Sequence, residues 1–358
     1  MIPKWKLERE LNRIKEQILQ LPWYVYGGPR KALHDLLLPR LLKVTDGQAP
    51  LSGNMAVVLI FQPAGILKST LAQLEYLASH GFSTLVVSNA PLSADDRQRL
   101  IGLTYQVMER PNYGYDFGGY RDGILHLLKR GIRPDNLIVM NDSCWMPAQK
   151  SSDPVGVALR DQADLFGISY FEHARKQHLS HIQSYFFRFG PKITSDPYFQ
   201  EVWQNIPVSS IRQTVIRKCE MRLTNAFQRR GHSVNFLFDD TTAIQHALQL
   251  ADEELKDLIL YLSRISERYA ATFREVLERI STGSDWRPEA ENLMNSQPAL
   301  IPFLVLHPNT MVERCQTPVL KKDRSGLYKA QREKIRRLGY LSSLTPSVAE
   351  EVAKWDQQ

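Results

Sequence analysis

Side chains that can bind a phosphorylated ligand gather within residues 111–143. A glycine-rich segment, residues 111–123, comes first, and an apolar run, residues 137–140, is followed directly by Asn141, Asp142 and Ser143. A carboxylate at the carboxyl end of a buried strand lies where parallel sheets bind nucleotides. Asp142 can hold a ribose or a divalent cation that bridges two phosphates, and Mg²⁺ or Mn²⁺ would suit its oxygens. The order favours a nucleotide diphosphate site, although a single Asp can also cap the next turn.

The glycine-rich segment supplies groups that can approach a nucleotide closely. Gly114, Gly118 and Gly119 lack a Cβ and would let the backbone come near the ligand. Such a cluster also marks ordinary loops. Asp116 can accept hydrogen bonds from a base or a ribose, or it can cap the following helix. Both interpretations of Asp116 stay open at this point.

Two groups later in the chain can contact an acceptor or a phosphate. His181 and Gln183 precede an apolar segment, residues 184–189, and they can line an acceptor pocket or meet the diphosphate. Lys321 and Lys322 follow Pro318 and can neutralise phosphates. A lone His is more often structural, and most Lys pairs face water.

The surrounding pattern predicts an α/β fold. Apolar runs at residues 55–61, 84–87, 104–108 and 137–140 predict strands, with helices between them at residues 67–77 and 120–129. Strands and helices alternating at this spacing indicate a parallel sheet with right-handed crossovers. Beyond residue 141 we expect a mixed pattern: strands at 165–169, 184–189 and 234–238, and helices at 209–230 and 242–280. We predict a nucleotide-binding domain over residues 51–250 and a helical, Pro-rich region over residues 251–358 that packs on it.

The N-terminal segment, residues 1–50, has a basic amphipathic pattern. Apolar residues recur at helical spacing between Lys, Arg and Glu, and the segment carries Trp23, Tyr24 and Tyr26. Such a helix can pack on its own domain or lie on an anionic membrane surface. We keep both possibilities as expectations.

Composition excludes several classes of protein. The 358 residues carry a net charge of +7 with a pI of about 9.2, but Lys and Arg are spread along the chain and form no nucleic-acid-binding motif. We therefore expect no nucleic acid partner, which leaves a pyrophosphate-bearing substrate or a membrane surface. Three widely spaced cysteines favour a reducing compartment. The absence of a secretory signal and of a long apolar run predicts a cytoplasmic location.

Several motifs resemble known glycosyltransferases. Asn112-x-Gly114, Arg121-Asp-Gly and the strand that ends in Asn141-Asp-Ser are similar to the nucleotide-sugar core of family-2 enzymes of GT-A fold. The finer form of residues 112–120, with residues 164–169, 181–186 and 318–322, resembles the rhamnan synthesis F family of bacterial polysaccharide glycosyltransferases. The resemblance spans about residues 55–325 and implies a Rossmann-type mixed sheet flanked by helices, with helical N- and C-terminal additions. It implies these donor-binding residues: Asn112, Gly114, Asp116, Gly118, Gly119, Arg121, Asn141, Asp142 and Ser143.

A second stretch implies the catalytic base. Family-2 enzymes carry Glu-Asp-x-Asp-Leu-Ser followed by a Gly, and aligning Leu223 and Gly231 with that pattern places Glu220 at the catalytic Asp. Cys219 then replaces the preceding acidic residue. The alternative is a solvated helix glutamate paired with Arg217 one turn away.

The resemblance implies a cytoplasmic, inverting glycosyltransferase at the inner face of the cytoplasmic membrane. It would take L-rhamnose from dTDP-rhamnose and extend a bacterial surface polysaccharide, such as a lipopolysaccharide O-antigen, on a glycan or lipid-linked acceptor. One rival is a nucleotidyltransferase, which needs a dense basic loop near the first strand, whereas residues 61–68 hold one Lys. Another is an inactive subunit that binds nucleotide or glycan, because the Asp-x-Asp and Glu-Asp patterns are incomplete.

Overall fold

The structure is a computed structural model that describes residues 27–173, 176–297 and 303–357. Its strands are β1 Lys43–Asp46, β2 Asn54–Ile60, β3 Phe82–Ser88, β4 Gln106–Glu109, β5 Asn136–Asn141, β6 Cys144–Trp145, β7 Leu165–Phe171, β8 His181–Ile182, β9 Phe186–Phe189, β10 Val234–Asp239 and β11 Leu320–Lys321.

The helices alternate with these strands in the first half and dominate the second half. They are α1 (residues 27–41), α2 Lys68–Ser79, α3 Ala94–Ile101, α4 Tyr115–Lys129, α5 Pro154–Arg160, α6 Pro191–Thr194, α7 Pro197–Asn205, α8 Arg212–Val215, α9 Met221–Arg229, α10 Asp240–Leu248, α11 Asp252–Ile265, α12 Glu267–Thr272, α13 Arg274–Thr282, α14 Arg287–Ser296, α15 Gly326–Arg337 and α16 Pro346–Lys354. Single π-helical turns are Ile216–Glu220 and Thr310–Arg314, and 3₁₀ turns are Gln177–Leu179, Phe303–Val305, Tyr340–Ser343 and Trp355–Gln357.

A mixed sheet forms the centre, with the strand order β1-β4-β3-β2-β5-β9-β7-β10. Strands β4, β3, β2 and β5 are mutually parallel, while β9 runs antiparallel between β5 and β7. The short β8 pairs with β7, and β11 pairs with β6 outside the main sheet. The predicted α/β fold with a mixed sheet flanked by helices is confirmed.

Both faces of the central strands are covered, which explains their continuous apolar sequence. Alternate residues of β2 point into two separate cores: Ala56 and Val58 face the core that contains α2, and Val57 and Leu59 face the core that contains α4. All residues from Met55 to Ile60 are buried. A parallel strand covered on both faces is expected to be apolar throughout.

Some predicted elements differ from the structure. Within the segment predicted as helical, residues 27–41 form α1, whereas residues 43–46 form the edge strand β1 and pair antiparallel with β4. Residues 1–26 lie outside the described part of the chain. The helix predicted over residues 242–280 is divided into α10 to α13: the backbone becomes extended at Ala251 and at Ser266, and it leaves helical geometry at Phe273, where φ is −90° and ψ is 14°. None of the described helices is long and apolar enough to cross a membrane.

Candidate active site

A cavity of about 480 Å³ opens where β5 ends and α4 begins. Its walls come from segments far apart in sequence: the start of α4, the end of β5, the loop between β8 and β9, the π-helical turn before α9, and β11. Of the residues predicted for a site, it is lined by Asp116, Asn141, Ser143, Gln183, Glu220, Lys321 and Lys322. The fold therefore brings the predicted catalytic carboxylate, the predicted phosphate-binding lysines and part of the predicted donor site into one space.

A chain of hydrogen bonds crosses the floor of the cavity and joins a carboxylate to an ammonium group. The Asn141 side-chain amide donates to Asp116 Oδ2 at 2.9 Å, and its oxygen accepts from Ser143 Oγ at 2.6 Å. Lys321 Nζ donates to Ser143 Oγ at 3.0 Å. Asn141 and Ser143 thus hold Asp116 and Lys321 in fixed positions, which is the kind of support that a binding site needs.

Glu220 enters the cavity from the π-helical turn Ile216–Glu220, which joins α8 to α9. Its Oε1 accepts a hydrogen bond from the backbone N–H of Ser184 at 2.8 Å, and Tyr120 Oη donates to the Ser184 carbonyl at 2.8 Å. Within the described ranges, Glu220 forms no ion pair with Arg217, which is exposed. The alternative of a solvated helix glutamate paired with Arg217 is therefore not the arrangement that the structure adopts.

Lys321 and Lys322 supply positive charge to the cavity. They lie at the end of β11, which pairs with β6, and the backbone N–H of Lys322 donates to the Ser143 carbonyl at 2.9 Å. The Lys321 ammonium lies 5.5 Å from the centre of the Tyr185 ring. Burial lowers the pKa of Lys322. For Lys321 burial acts in the same direction, but the surrounding acidic groups outweigh it and raise the pKa, so this lysine stays charged.

Asp116 is the most perturbed carboxylate of the cavity. Burial, together with the charges of Asp142 and Glu220, raises the pKa of Asp116 to about 6 against the opposing effects of Lys321 and Arg212. A carboxyl group with a pKa near 6 is ionised at neutral pH but holds its proton more readily than an ordinary Asp. Perturbation of this kind, inside a cavity, is typical of functional carboxylates.

Asp142 lies next to the cavity, where its charge raises the pKa of Asp116, but its hydrogen bonds are to residues outside the cavity wall. Its Oδ2 accepts hydrogen bonds from the Phe61 backbone N–H and the Gln62 side chain, both at 2.9 Å, so this carboxylate ties the segment after β2 to the end of β5. It does not line the cavity. Among the described residues, no group of three or more His, Cys, Asp and Glu side chains is placed to hold a metal ion.

The glycines serve packing and turn geometry at the start of α4. Gly114 has a φ of 88° and lines, with Asn112, a separate cavity of about 140 Å³. A Cβ on Gly118 would lie 2.2 Å from the Tyr113 carbonyl oxygen, and one on Gly119 would lie 2.3 Å from a Leu59 methyl carbon. Gly118 and Gly119 therefore let α4 approach its own loop and β2.

Two further predicted residues lie outside the cavity. Arg121 is buried and its guanidinium contacts Asp35 of α1 at 2.8 Å and Asp122 at 3.1 Å. It fastens α1 to α4 instead of facing the cavity. The His181 ring lies 2.7 Å, through Nδ1, from the Leu179 carbonyl oxygen, and it is buried at the edge strand β8.

Sequence reasoning missed several residues of the cavity wall: Tyr115, Ser184, Tyr185, Arg212, Asp323 and Tyr328. Tyr115 lies inside the glycine-rich segment, and its position there could have indicated that it lines the cavity. Ser184 acts through its backbone N–H, which no side-chain pattern can indicate. Arg212, Asp323 and Tyr328 reach the cavity only through tertiary packing.

A mixed sheet with a charged cavity at the carboxyl end of a central parallel strand defines an α/β protein whose cavity lies where sheets of this kind commonly bind ligands. The family model described as rhamnan synthesis protein F matches residues 84–265. The uncharacterized protein y4gN of Sinorhizobium fredii is 34% identical over 358 residues, which cover 100% of this chain and 93% of that protein. The chain belongs to the rhamnan synthesis protein F family, and this membership supports a glycosyltransferase in polysaccharide synthesis.

Two solved structures align with parts of the chain. A glycosyltransferase involved in the glycosylation of the major capsid of PBCV-1 aligns with a TM-score of 0.30 and 11% identity, covering 52% of this chain and 83% of that one. The mannosyltransferase Ktr4p from S. cerevisiae aligns with a TM-score of 0.24 and 8% identity, covering 45% and 62%. Both TM-scores lie below 0.5, so neither structure supports a statement about the fold of this chain, which is defined by the strand order given above.

Proposed function

We propose that the protein transfers a sugar from a nucleotide diphosphate donor to a glycan acceptor, and that Glu220 is the general base. The observation that supports this proposal is the single cavity in which Asp116 and Glu220 stand with Lys321 and Lys322. Sugar transfer needs a carboxylate for the acceptor proton and positive charge for the leaving diphosphate. The cavity offers both.

The reaction would be a single displacement. The acceptor hydroxyl oxygen attacks the anomeric carbon, and the bond from that carbon to the phosphate oxygen breaks with its electron pair going to the diphosphate. The acceptor proton passes to Glu220, whose Oε1 is already held by Ser184 N–H and whose Oε2 accepts no hydrogen bond from any described residue. One displacement inverts the configuration at the anomeric carbon.

Lys321 and Lys322 would neutralise the charge that develops on the diphosphate. Family-2 enzymes use a divalent cation held by an Asp-x-Asp motif, but the residues here do not fit one. Asp142 is a single carboxylate whose Oδ2 already binds Phe61 N–H and Gln62. The described residues therefore offer no ligand set for Mg²⁺ or Mn²⁺, and the assay is run with and without a chelator to test for a cation that arrives with the donor.

The family resemblance is the support for the identity of the donor and the acceptor. We propose dTDP-L-rhamnose as the donor and a lipid-linked or glycan acceptor of a bacterial surface polysaccharide. Gln183 lies on the cavity wall and can contact the acceptor, whereas His181 lies behind it.

The test is a panel of nucleotide sugars with lipid-linked glycan acceptors, with and without EDTA. We expect one nucleotide sugar to raise the melting temperature, to be consumed and to release a nucleoside diphosphate. Release of pyrophosphate from a nucleoside triphosphate and a sugar phosphate would establish the rival nucleotidyltransferase. Binding of a nucleotide sugar without turnover on any acceptor would support the inactive subunit. Full activity in EDTA would agree with the lysine-based site.

We also propose that α1 lies on an anionic membrane surface. Its buried side includes His34, while Leu33, Leu36, Leu37 and Leu41 are 36–73% exposed and form an apolar stripe. Exposed basic residues flank the stripe: Arg30, Arg40 and Lys43. An apolar stripe between cations is suited to the headgroup region of an anionic bilayer.

Liposome flotation tests the membrane proposal. Full-length protein should float with anionic vesicles at low salt, and Leu36→Ser should weaken this binding. Leu338→Ser is the matched control, because Leu338 is a comparably exposed leucine outside α1. Equal effects of the two substitutions, or no flotation, would contradict a membrane role for the stripe.

A further inference from the structure

Tyr115 occupies an unusual position between two cavities. It lines both the large charged cavity and the smaller one of about 140 Å³, whose other walls are Asn112, Gly114 and Ser210. Its side chain is 44% exposed and its φ is 50°. A non-glycine residue with a positive φ is strained, and an aromatic residue rarely adopts this conformation.

The surrounding backbone holds Tyr115 in this conformation. Gly114 has a φ of 88°, and a Cβ there would lie 2.4 Å from a Val208 methyl carbon. The Tyr113 carbonyl accepts from Arg110 Nη2 at 2.7 Å, and Tyr113 Oη donates to the Val208 carbonyl at 3.1 Å. These contacts hold the backbone that precedes Tyr115, and the turn presents its exposed aromatic ring between the two cavities. Strain that is maintained in this way is a common feature of ligand-binding residues.

We infer that Tyr115 is a stacking platform for the nucleobase of the donor. This inference rests on the proposed function. The charged side chains all line the large cavity, which suits the diphosphate and the reacting sugar. The small cavity is polar but uncharged: Asn112 offers an amide and Ser210 a hydroxyl. The flat, uncharged part of a nucleotide sugar is its base, and a rigid aromatic ring binds such a face by stacking.

Two substitutions at this position separate the ring from the backbone. Tyr115→Phe keeps the ring and the strain. Tyr115→Asn removes the ring but tolerates a positive φ, so its melting temperature should equal or exceed that of the wild type. The probes are UDP, dTDP and GDP, together with inorganic pyrophosphate, which has no base. All are titrated by calorimetry.

We expect the preferred nucleoside diphosphate to bind Tyr115→Phe normally and to bind Tyr115→Asn roughly 5- to 150-fold more weakly, the range found when a stacking aromatic is removed. Pyrophosphate affinity should stay unchanged in both variants, because the lysines remain. An equal loss for pyrophosphate and nucleotide would overturn the inference and indicate a structural role. Normal nucleotide affinity in Tyr115→Asn with a raised KM for the glycan acceptor would also overturn it.

The experiment separates this inference from the proposed function. If wild-type protein consumes a nucleotide sugar while Tyr115→Asn binds the nucleoside diphosphate normally, only the stacking role fails. If wild-type protein binds neither pyrophosphate nor any of the three nucleotides, the proposed donor site and the stacking role fail together.

Discussion

Replacing Asp116 with Asn should stabilise the protein above about pH 6 while abolishing sugar transfer. Burial, followed by the charges of Asp142 and Glu220, raises the pKa of Asp116 from 3.8 to about 6. A carboxyl group whose pKa is raised by folding binds its proton more tightly in the folded state. Its contribution to stability is therefore complete below about pH 4 and is lost as the pH rises through 6. Asn is neutral at every pH and escapes this loss, while it can still accept the hydrogen bond from Asn141.

The size of the effect follows from the shift. Each pKa unit is worth about 1.4 kcal/mol, so the ionised Asp116 lowers the free energy of unfolding by at most about 3 kcal/mol at pH 7.5. The same relation gives about half of that effect at pH 5 and about a fifth of it at pH 4. The side chain is partly exposed to the cavity, which reduces these values. The difference between the variant and the wild type should thus grow between pH 4 and pH 7 and then level off.

Urea unfolding at several pH values measures this difference, and Asp240→Asn is the matched control. The pKa of Asp240 is also raised to about 6, mainly by burial, but Asp240 does not line the cavity. The free energy of unfolding of both variants should increase relative to that of the wild type as the pH rises, and only Asp116→Asn should lose turnover. A stability difference at Asp116 that shrinks as the pH rises would refute the reasoning about its burial. Full turnover in Asp116→Asn would refute its place in the site.

Three further predictions concern the charges around the cavity. Glu220→Gln should lower kcat by roughly 10²–10⁴-fold, as expected for loss of a general base, while calorimetry should show unchanged affinity for the nucleoside diphosphate. A normal kcat would mean that Glu220 is not the general base and would make Asp116 the next candidate. Lys322→Met should weaken pyrophosphate binding by roughly 10- to 100-fold and reduce its salt dependence, and unchanged affinity would exclude a phosphate contact. Arg332→Met should lower the free energy of unfolding in urea by roughly 1.5–3 kcal/mol, because the buried Asp356 carboxylate loses one of its two guanidinium partners and keeps Arg336 at 3.0 Å. Adding Asp356→Leu should cost less in the Arg332→Met background than in the wild type, whereas strictly additive effects would contradict a direct pairing.

The central strands could be predicted from the sequence because local pattern and tertiary environment agree there. Strands β2 and β5 are covered on both faces, so their apolar residues are continuous, and the chemistry-bearing residues follow the end of β5 directly. The contact of Asn141 with Asp116 joins two parts of one predicted motif. Because the central strands are buried on both faces, the fold and the floor of the cavity could be predicted from the sequence.

Other features depend on partners that are distant in sequence. The direction of the Asp142 carboxylate is set by Phe61 and Gln62, which follow a different strand. The break at Ser266 has no Gly or Pro to mark it, since extended backbone at that position is allowed to any residue. The Tyr115 conformation requires Val208 to pack against the preceding turn. A local pattern contains none of these contacts.

The C-terminal region contributes directly to the electrostatics of the cavity. Arg332 is fully buried, donates to the carbonyls of Lys321 and Asp323 at 2.7 and 3.0 Å, and pairs with Asp356 at 2.6 Å. The guanidinium therefore connects the last described turn of the chain to the strand that carries the cavity lysines. Glu351 in α16 accepts from the Ser69 backbone and from the Trp145 indole. Because β6 holds β11 in place, these contacts fix the lysines relative to Asn141. The distance between opposite charges in the cavity is thus determined in part by residues more than a hundred positions beyond the glycine-rich segment, residues 111–123. The C-terminal region is therefore part of the candidate site and more than a helical addition that packs on the sheet.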